Sequence, residues 1–147
     1  MPTSNSKLIL LVEDNENDAE LALVQLEDCE PPIHVEVARD GEEALDYLYR
    51  RGAYASRPVG EPVVVLLDLK MPRVTGLEVL RAVKSDEKLK HIPVVMLTSS
   101  REPQDLRECY RLGANGYVVK PLEAQHFTQA IRNLGAYWVA TNEPPPL

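Results

Sequence analysis

Residues 63–76, VVVLLDLKMPRVTG, join a run of five aliphatic residues to an acidic one. A short, continuous run rich in β-branched residues is typical of a central strand in a parallel sheet, because helices cover both of its faces. An acid at the end of such a strand lies at the mouth of the sheet. This stretch therefore predicts an α/β fold and makes Asp68 the first candidate functional residue.

Four further apolar runs surround this strand along the chain. Together, the five predicted strands cover residues 8–12, 33–38, 63–67, 94–97 and 117–119. In the second of them, Ile33, Val35 and Val37 alternate with polar residues, which indicates a half-buried strand near an edge of the sheet. The first and fourth are continuous, as expected of strands with two covered faces.

A segment of helical period follows each predicted strand. The residues that mark these segments are, in order, Ala19, Ala22, Leu23 and Leu26; Ala44, Leu45, Leu48 and Tyr49; Leu77, Leu80 and Val83; Leu106 and Tyr110; and Phe127, Ala130, Ile131, Leu134 and Trp138. Asp40 and Glu43 have the spacing of a capping box at the start of the second helix, which we expect to bury Ala44, Leu45, Leu48 and Tyr49. Pro103 suits the first turn of the fourth helix, which ends at Gly113. Five strand–helix units predict a parallel sheet with helices on both faces.

The alternation of strands and helices fills the chain from residue 7 to about residue 141. We therefore expect one domain over residues 7–141, an N-terminal tail over 1–6 and a proline-rich C-terminal tail over 142–147. Residues 50–62, rich in Gly, Arg and Pro, predict a long loop. No room remains for a helix-turn-helix domain, so we expect output through the surface of this domain.

Composition argues against several classes of function. The formal net charge of −7 disfavours binding to nucleic acid or to anionic membranes. The longest apolar runs are five residues, far short of a membrane span, and the first seven residues carry a single lysine, unlike a signal peptide. We expect a cytoplasmic protein with neither partner. Cys29 and Cys109 lie far apart in sequence and predict reduced, structural thiols, and the histidines lack the spacing of a zinc site.

The residues that follow the predicted strands carry the chemistry. Glu13 and Asp14 follow the first strand, Asp68 the third, Thr98 the fourth and Lys120 the fifth. Taken singly, each has a plain alternative, such as a helix cap or a solvated charge. Taken together, they place three carboxylates, a hydroxyl and an ammonium at one edge of a sheet, where ligands of open α/β folds bind.

Three carboxylates within about 5 Å of one another repel by a few kcal/mol per pair at an effective dielectric of about 20. They stay ionised when a cation lies among them. Oxygen ligands that leave room for water and for a phosphate oxygen suit Mg²⁺ better than Zn²⁺. A magnesium ion neutralises the charge that develops in phosphoryl transfer, and the sequence therefore predicts a site for that reaction.

The set of motifs resembles the receiver domains of two-component response regulators. The likeness rests on the acid pair Glu13–Asp14, the segment LLDLKMPRVTG, Thr98 within VVMLTSS and the pair Lys120–Pro121, and it runs through nearly the whole chain. It implies a flavodoxin-like, doubly wound sheet of five parallel strands in the order 2-1-3-4-5 with five helices. It also implies a phospho-acceptor that catalyses its own phosphoryl transfer and dephosphorylation rather than an enzyme acting on other substrates.

The same resemblance implies a role for each residue. Asp68 would take the phosphoryl group from a sensor histidine kinase, Lys120 would bind its oxygens, and Thr98 and Tyr117 would form a conformational switch. The implied ligands of Mg²⁺ are Glu13, Asp14, Asp68 and the backbone carbonyl of Lys70.

The insert around Gly52-Ala53-Tyr54 and the ending Ala136-Tyr137-Trp138 are similar to single-domain regulators paired with phytochrome-type sensor kinases. That narrower resemblance implies a bacteriophytochrome as the partner kinase. The apolar stripe of the last helix also continues past the length needed to cover five strands. Because aromatic residues at a chain end are typical interface anchors, we expect a homodimer formed by helix five and the C-terminal tail.

Other classes of protein with a similar fold or chemistry make different demands on the sequence. A haloacid-dehalogenase-like phosphatase needs a second acid two residues after its nucleophile, where this chain has Lys70. A dinucleotide-binding domain needs glycines after the first strand, and the sequence there is Glu-Asp-Asn-Glu-Asn. A phosphorelay intermediate remains open. A phosphorylation-independent scaffold also remains, although such a protein is expected to lose Asp68 or Lys120.

Overall fold

The computed structural model describes residues 7–29, 33–58 and 60–146, and its centre is a parallel sheet of five strands. The strands are β1 (Lys7–Val12), β2 (Ile33–Ala38), β3 (Val64–Leu67), β4 (Val94–Thr98) and β5 (Gly116–Val119). Their order is β2-β1-β3-β4-β5, which confirms the predicted flavodoxin-like topology. β2 is an edge strand with a mixed burial pattern, as its alternating sequence predicts.

Five α-helices cover the two faces of the sheet and confirm the predicted strand–helix alternation. They are α1 (Glu16–Glu27), α2 (Gly41–Tyr49), α3 (Gly76–Ser85), α4 (Pro103–Arg111) and α5 (Ala124–Gly135). One core layer joins the sheet to α2, α3 and α4, and the other joins it to α1 and α5. The alternating side chains of β1 serve both layers, with Leu10 in the first and Leu11 in the second.

In α2 and α4, some of the buried residues are not those that the helical period predicts. Tyr49, predicted as a core residue of α2, is 37% exposed, whereas Tyr47 is buried under the ring of Tyr54. In α4 the buried residue is Cys109, and Tyr110 is exposed. The prediction for Tyr49 is wrong because α2 turns the preceding tyrosine toward the loop that follows it.

Side-chain caps fix the starts of the helices that flank the site. Asn15 Oδ1 accepts a bond from the Asp18 N–H at 3.0 Å at the start of α1, and Asp40 Oδ1 accepts one from the Glu43 N–H at 2.8 Å at the start of α2. Glu43 reaches back to the N–H of Arg39 at 3.1 Å, one residue before the helix cap. These bonds satisfy amides that a helix start leaves unpaired.

The chain beyond α5 continues as a π-helical segment, Ala136–Thr141. This wider turn buries Val139 beneath α1, while Trp138 is half-buried and Tyr137 is exposed. Residues 142–146 have no regular structure, and Pro144 to Pro146 border a cavity at the amino edge of the sheet. The predicted N-terminal tail, residues 1–6, and Leu147 lie outside the described residues.

Candidate functional site

The carboxyl ends of β1, β3, β4 and β5 meet at one edge of the sheet, where the strand order reverses between β1 and β3. Backbone hydrogen bonds carry the strand pairing one residue further at each site position. The N–H of Asp68 donates to Val12 at 3.1 Å, and the N–H of Lys120 donates to Thr98 at 2.8 Å. Asp68 and Lys120 are therefore positioned by the sheet itself.

Three carboxylates form a cluster at this edge. Glu13, Asp14 and Asp68 each offer one oxygen, and these three oxygens lie within 4.8 Å of one another. Glu13 and Asp68 are buried, whereas Asp14 is exposed. The cluster is therefore reached from solvent on the Asp14 side. An all-oxygen set with an open side fits a hard divalent cation that keeps some of its water.

Burial makes two of these carboxyl groups hard to ionise. Desolvation raises the pKa of Glu13 to about 7, with a further increase from the nearby Asp68 charge that the Lys120 ammonium offsets in part. Desolvation also raises the pKa of Asp68, and the charge of Asp14 adds to that increase, while Lys120 and the Lys70 N–H oppose it. The site thus holds more negative charge than its own cation balances, which supports the fit of a divalent metal.

Among the described residues, Lys120 is the cation that pairs with this cluster. Its Nζ lies 2.6 Å from Glu13 Oε1, 3.1 Å from Asp18 Oδ2 and 3.8 Å from Asp68 Oδ2. Burial lowers the pKa of Lys120. The hydrogen bond and charge of Glu13, together with Asp68 and Asp18, raise it by a larger amount, so the pKa lies above its ordinary value. The ammonium therefore stays charged beside Asp68. The sequence analysis did not identify Asp18 as a partner.

Thr98 and Tyr117 are connected through Ser100. The buried Thr98 hydroxyl accepts a bond from the Ser100 N–H at 3.3 Å, and the Tyr117 hydroxyl donates to the Ser100 carbonyl at 3.0 Å. Ser100 Oγ in turn donates to Asp105 on α4 at 2.5 Å. The segment after β4 therefore links the floor of the site to both β5 and α4.

The turn after β3 contains a glycine that the sequence analysis did not single out as a site residue. A Cβ at Gly76 would lie 2.1 Å from the carbonyl oxygen of Asp68, so only glycine lets the start of α3 approach this closely. Thr75 caps the same helix through a bond from the Glu78 N–H at 3.3 Å. A glycine directly after a capping threonine was the available signal for this contact.

A cleft of about 410 Å³ opens beside the acidic cluster. Asp14 and Lys70 line the side near the cluster, and Thr75 and Asp105 contribute from the starts of α3 and α4. The structure thus brings Glu13, Asp14, Asp68 and Lys120 together and leaves an approach to them. The predicted metal-binding role of the Lys70 carbonyl stays a prediction.

The chain matches the family described as response regulator receiver domain over residues 9–132. The bacteriophytochrome response regulator AtBRR is 59% identical, with a TM-score of 0.74 over 94% of this chain and 99% of that one. The phosphorylated cyanobacterial phytochrome response regulator RcpA is 38% identical, with a TM-score of 0.91 over 96% of this chain and 99% of that one.

A third relative is response regulator Rcp1 of Synechocystis sp., which is 34% identical over 92% of this chain and 90% of its own length. The Mn²⁺-bound form of Rcp1 superposes with a TM-score of 0.90 over 95% of this chain and 99% of that one. Within residues 7–29, 33–58 and 60–146, no helix has the length and apolar character needed to cross a membrane.

Proposed function

This chain belongs to the response regulator receiver domain family, and we propose that Asp68 is the residue on which it accepts a phosphoryl group from a sensor histidine kinase. Phosphoryl acceptance is typical of this family, whose members act as signalling acceptors rather than as classical enzymes. The observation that carries the assignment is the buried Asp68 carboxylate, which lies within the acidic cluster and 3.8 Å from the Lys120 ammonium.

In the proposed reaction, an Asp68 carboxylate oxygen attacks the phosphorus of a phosphohistidine. The new O–P bond forms as the N–P bond breaks, and the imidazole nitrogen departs with the electron pair. Lys120 donates to the phosphoryl oxygens, and the Thr98 hydroxyl donates to another once it leaves Ser100. Glu13, Asp14, Asp68 and the Lys70 carbonyl would hold Mg²⁺, which neutralises negative charge on the transferring group when it is bound. Attack of water on the same phosphorus accounts for self-catalysed dephosphorylation.

The proposed switch runs from Thr98 through Ser100 to Tyr117. When the Thr98 hydroxyl turns to the phosphoryl group, the Ser100 N–H loses its partner, and the Ser100 carbonyl that holds Tyr117 shifts with it. We expect the amide resonances of Ser100 and of residues 116–119 to move when acetyl phosphate and Mg²⁺ are added. Changes confined to the neighbours of Asp68 would contradict the switch.

We propose a bacteriophytochrome-type kinase as the donor because RcpA is a phytochrome response regulator and AtBRR is a bacteriophytochrome response regulator. A histidine kinase takes its phosphoryl group from ATP, so this exchange places the chain in the cytoplasm. The test is transfer from a radiolabelled kinase of this type to the chain, with a kinase of an unrelated system as the control. Label that moves at equal rates from both kinases would argue against this pairing.

We also propose a homodimer built on the C-terminal end. Tyr137 is 49% exposed, and its ring meets that of Trp138 edge-on at 5.0 Å, which gives a ready aromatic contact. Two variants test this contact and keep the buried Val139, which the fold needs. They are truncation after Thr141 and Tyr137→Ser. Sedimentation equilibrium should show a dimer for the full chain and a shift to monomer for both variants. A full-length monomer at tens of micromolar would refute the dimer.

A further inference from the structure

The Lys120 ammonium pairs with three acids, and the proposed reaction uses two of them. Two of them, Glu13 and Asp68, belong to the carboxylate cluster, whereas Asp18 lies in the first turn of α1. The Lys120 Nζ is 3.1 Å from Asp18 Oδ2 and 3.8 Å from Asp68 Oδ2. The ammonium lies nearest to Glu13, at 2.6 Å, and is closer to Asp18 than to the proposed acceptor.

The position of Asp18 is fixed by its own helix. Its backbone N–H donates to the capping side chain of Asn15 at 3.0 Å, so the residue is held at the start of α1. Its side chain is 29% exposed and that of Lys120 is 12% exposed, so the contact between them is largely shielded from water. An acid at a helix start is also stabilised by the amide dipoles there. Asp18 thus binds the Lys120 ammonium from a fixed position at the start of α1.

We infer that Asp18 is a positioning residue that holds the Lys120 ammonium away from Asp68 until a phosphoryl group arrives. This role rests on the proposed function. A tetrahedral group on Asp68 presents new anionic oxygens, and Lys120 has to weaken its bond to Asp18 to reach them. Asp18 therefore disfavours the phosphorylated state of the chain relative to the unphosphorylated state.

The test uses beryllofluoride, which forms a tetrahedral complex on a carboxylate, with the full chain and saturating Mg²⁺. Titration followed by ¹⁹F NMR gives the half-saturating concentration. Because a partly shielded ion pair is worth up to about 1 kcal/mol, Asp18→Asn should bind roughly threefold to fivefold more tightly than wild type. Asp18→Glu, which keeps the carboxylate, should stay close to wild type.

Glu16→Gln is the matched control, because it removes one carboxylate charge from the same first turn of α1, and the exposed Glu16 makes no ion pair among the described residues. In a Lys120→Met background, Asp18→Asn should change nothing, since the coupling runs through the ammonium. Equal affinities of wild type, Asp18→Asn and Glu16→Gln would overturn the role of Asp18 alone. A wild-type chain that binds no beryllofluoride on Asp68 would overturn the proposed function and this role with it.

Discussion

The two edges of the sheet both bury charge, and they balance it in opposite ways. At the carboxyl edge, Glu13, Asp68 and Asp18 share one ammonium, that of Lys120, and the pKa of Glu13 rises to about 7 because burial leaves its charge undercompensated. At the amino edge, two guanidinium groups, those of Arg50 and Arg57, lie in the loop that leads into β3.

The charges of the amino edge are balanced within the chain, since Glu61 lies 3.9 Å from Arg50 Nη2 and 4.0 Å from Arg57 Nη2. Most guanidinium nitrogens also donate to backbone carbonyls, whereas the buried Arg57 Nη2 makes no hydrogen bond. Arg50 donates to the carbonyls of Arg57, Pro58 and Gly60 at 3.0 to 3.1 Å. Arg57 donates to the carbonyls of Tyr47 at 2.7 Å and Gly60 at 2.9 Å, and its guanidinium stacks on the Tyr47 ring at 4.1 Å. Buried charge that is paired within the chain holds the loop in place, whereas buried charge left unbalanced suits a site for an incoming ion or phosphoryl group.

The largest effect is expected from Arg57→Ala at the amino edge. The side chain is 6% exposed. Its loss removes one charged donor from each of the Tyr47 and Gly60 carbonyls and uncovers the Tyr47 ring. We expect the free energy of unfolding to fall by about 3 kcal/mol, measured with urea. Arg51→Ala is the control, since Arg51 is 55% exposed and pairs with Asp46, and it should cost less than about 1 kcal/mol. Equal losses would remove the distinction between an internal clamp and a surface ion pair.

At the carboxyl edge, removal of a charge should stabilise the chain. The pKa of Glu13 is about 7 in the folded protein against its ordinary value of 4.5, so the folded state binds this proton more tightly than the unfolded state. Its contribution therefore opposes folding above pH 7 and is relieved as the pH falls toward 4.5. In the absence of divalent cations, Glu13→Gln should be more stable than wild type at pH 8, by on the order of 2 kcal/mol.

The difference between Glu13→Gln and wild type should shrink as the pH approaches 5, because wild-type Glu13 is then protonated in the folded state. Urea unfolding at several pH values measures it. A difference of constant size across this range would show that the two proteins differ in packing rather than in charge at this position.

A smaller effect is expected on metal binding. Asp14→Ala removes one oxygen from the cluster and should weaken Mg²⁺ binding about tenfold, without loss of stability in the metal-free protein, because it also relieves repulsion. Glu13→Gln should weaken it less, since Glu13 is already engaged by Lys120 at 2.6 Å. Calorimetric titration measures both, with Glu20→Ala as an exposed acid outside the cluster. Unchanged affinity in Asp14→Ala would contradict the assigned metal site.

The strands were predictable because their signals are local, whereas their order was implied by the resemblance to receiver domains. Five apolar runs and the polar residues after them fix which side chains reach the carboxyl edge, and this placement brings Glu13, Asp14, Asp68 and Lys120 together. Asp18 was not predictable in this way. Asp18 lies in the first turn of α1. Its contact with Lys120 depends on how closely that turn packs against the end of β5.

The amino edge was less predictable for a different reason. Arg50 and Arg57 bind backbone carbonyls, which carry no sequence signal, so a stretch rich in Gly, Arg and Pro predicts only a loop. The burial of Tyr47 instead of Tyr49 has the same origin, because Tyr47 is covered by Arg57 and Tyr54 from that loop. Long-range contacts override the helical period there.

We propose that the unbalanced charge of the carboxyl edge serves phosphoryl transfer to Asp68. Intact-mass measurement after incubation with acetyl phosphate and Mg²⁺ tests it most directly, with Asp46→Asn as a control acid outside the site. Wild type and Asp46→Asn should each gain one phosphoryl group, and Asp68→Asn should gain none. A phosphoryl group that still appears on Asp68→Asn, or a wild-type chain that stays unmodified, would contradict the account.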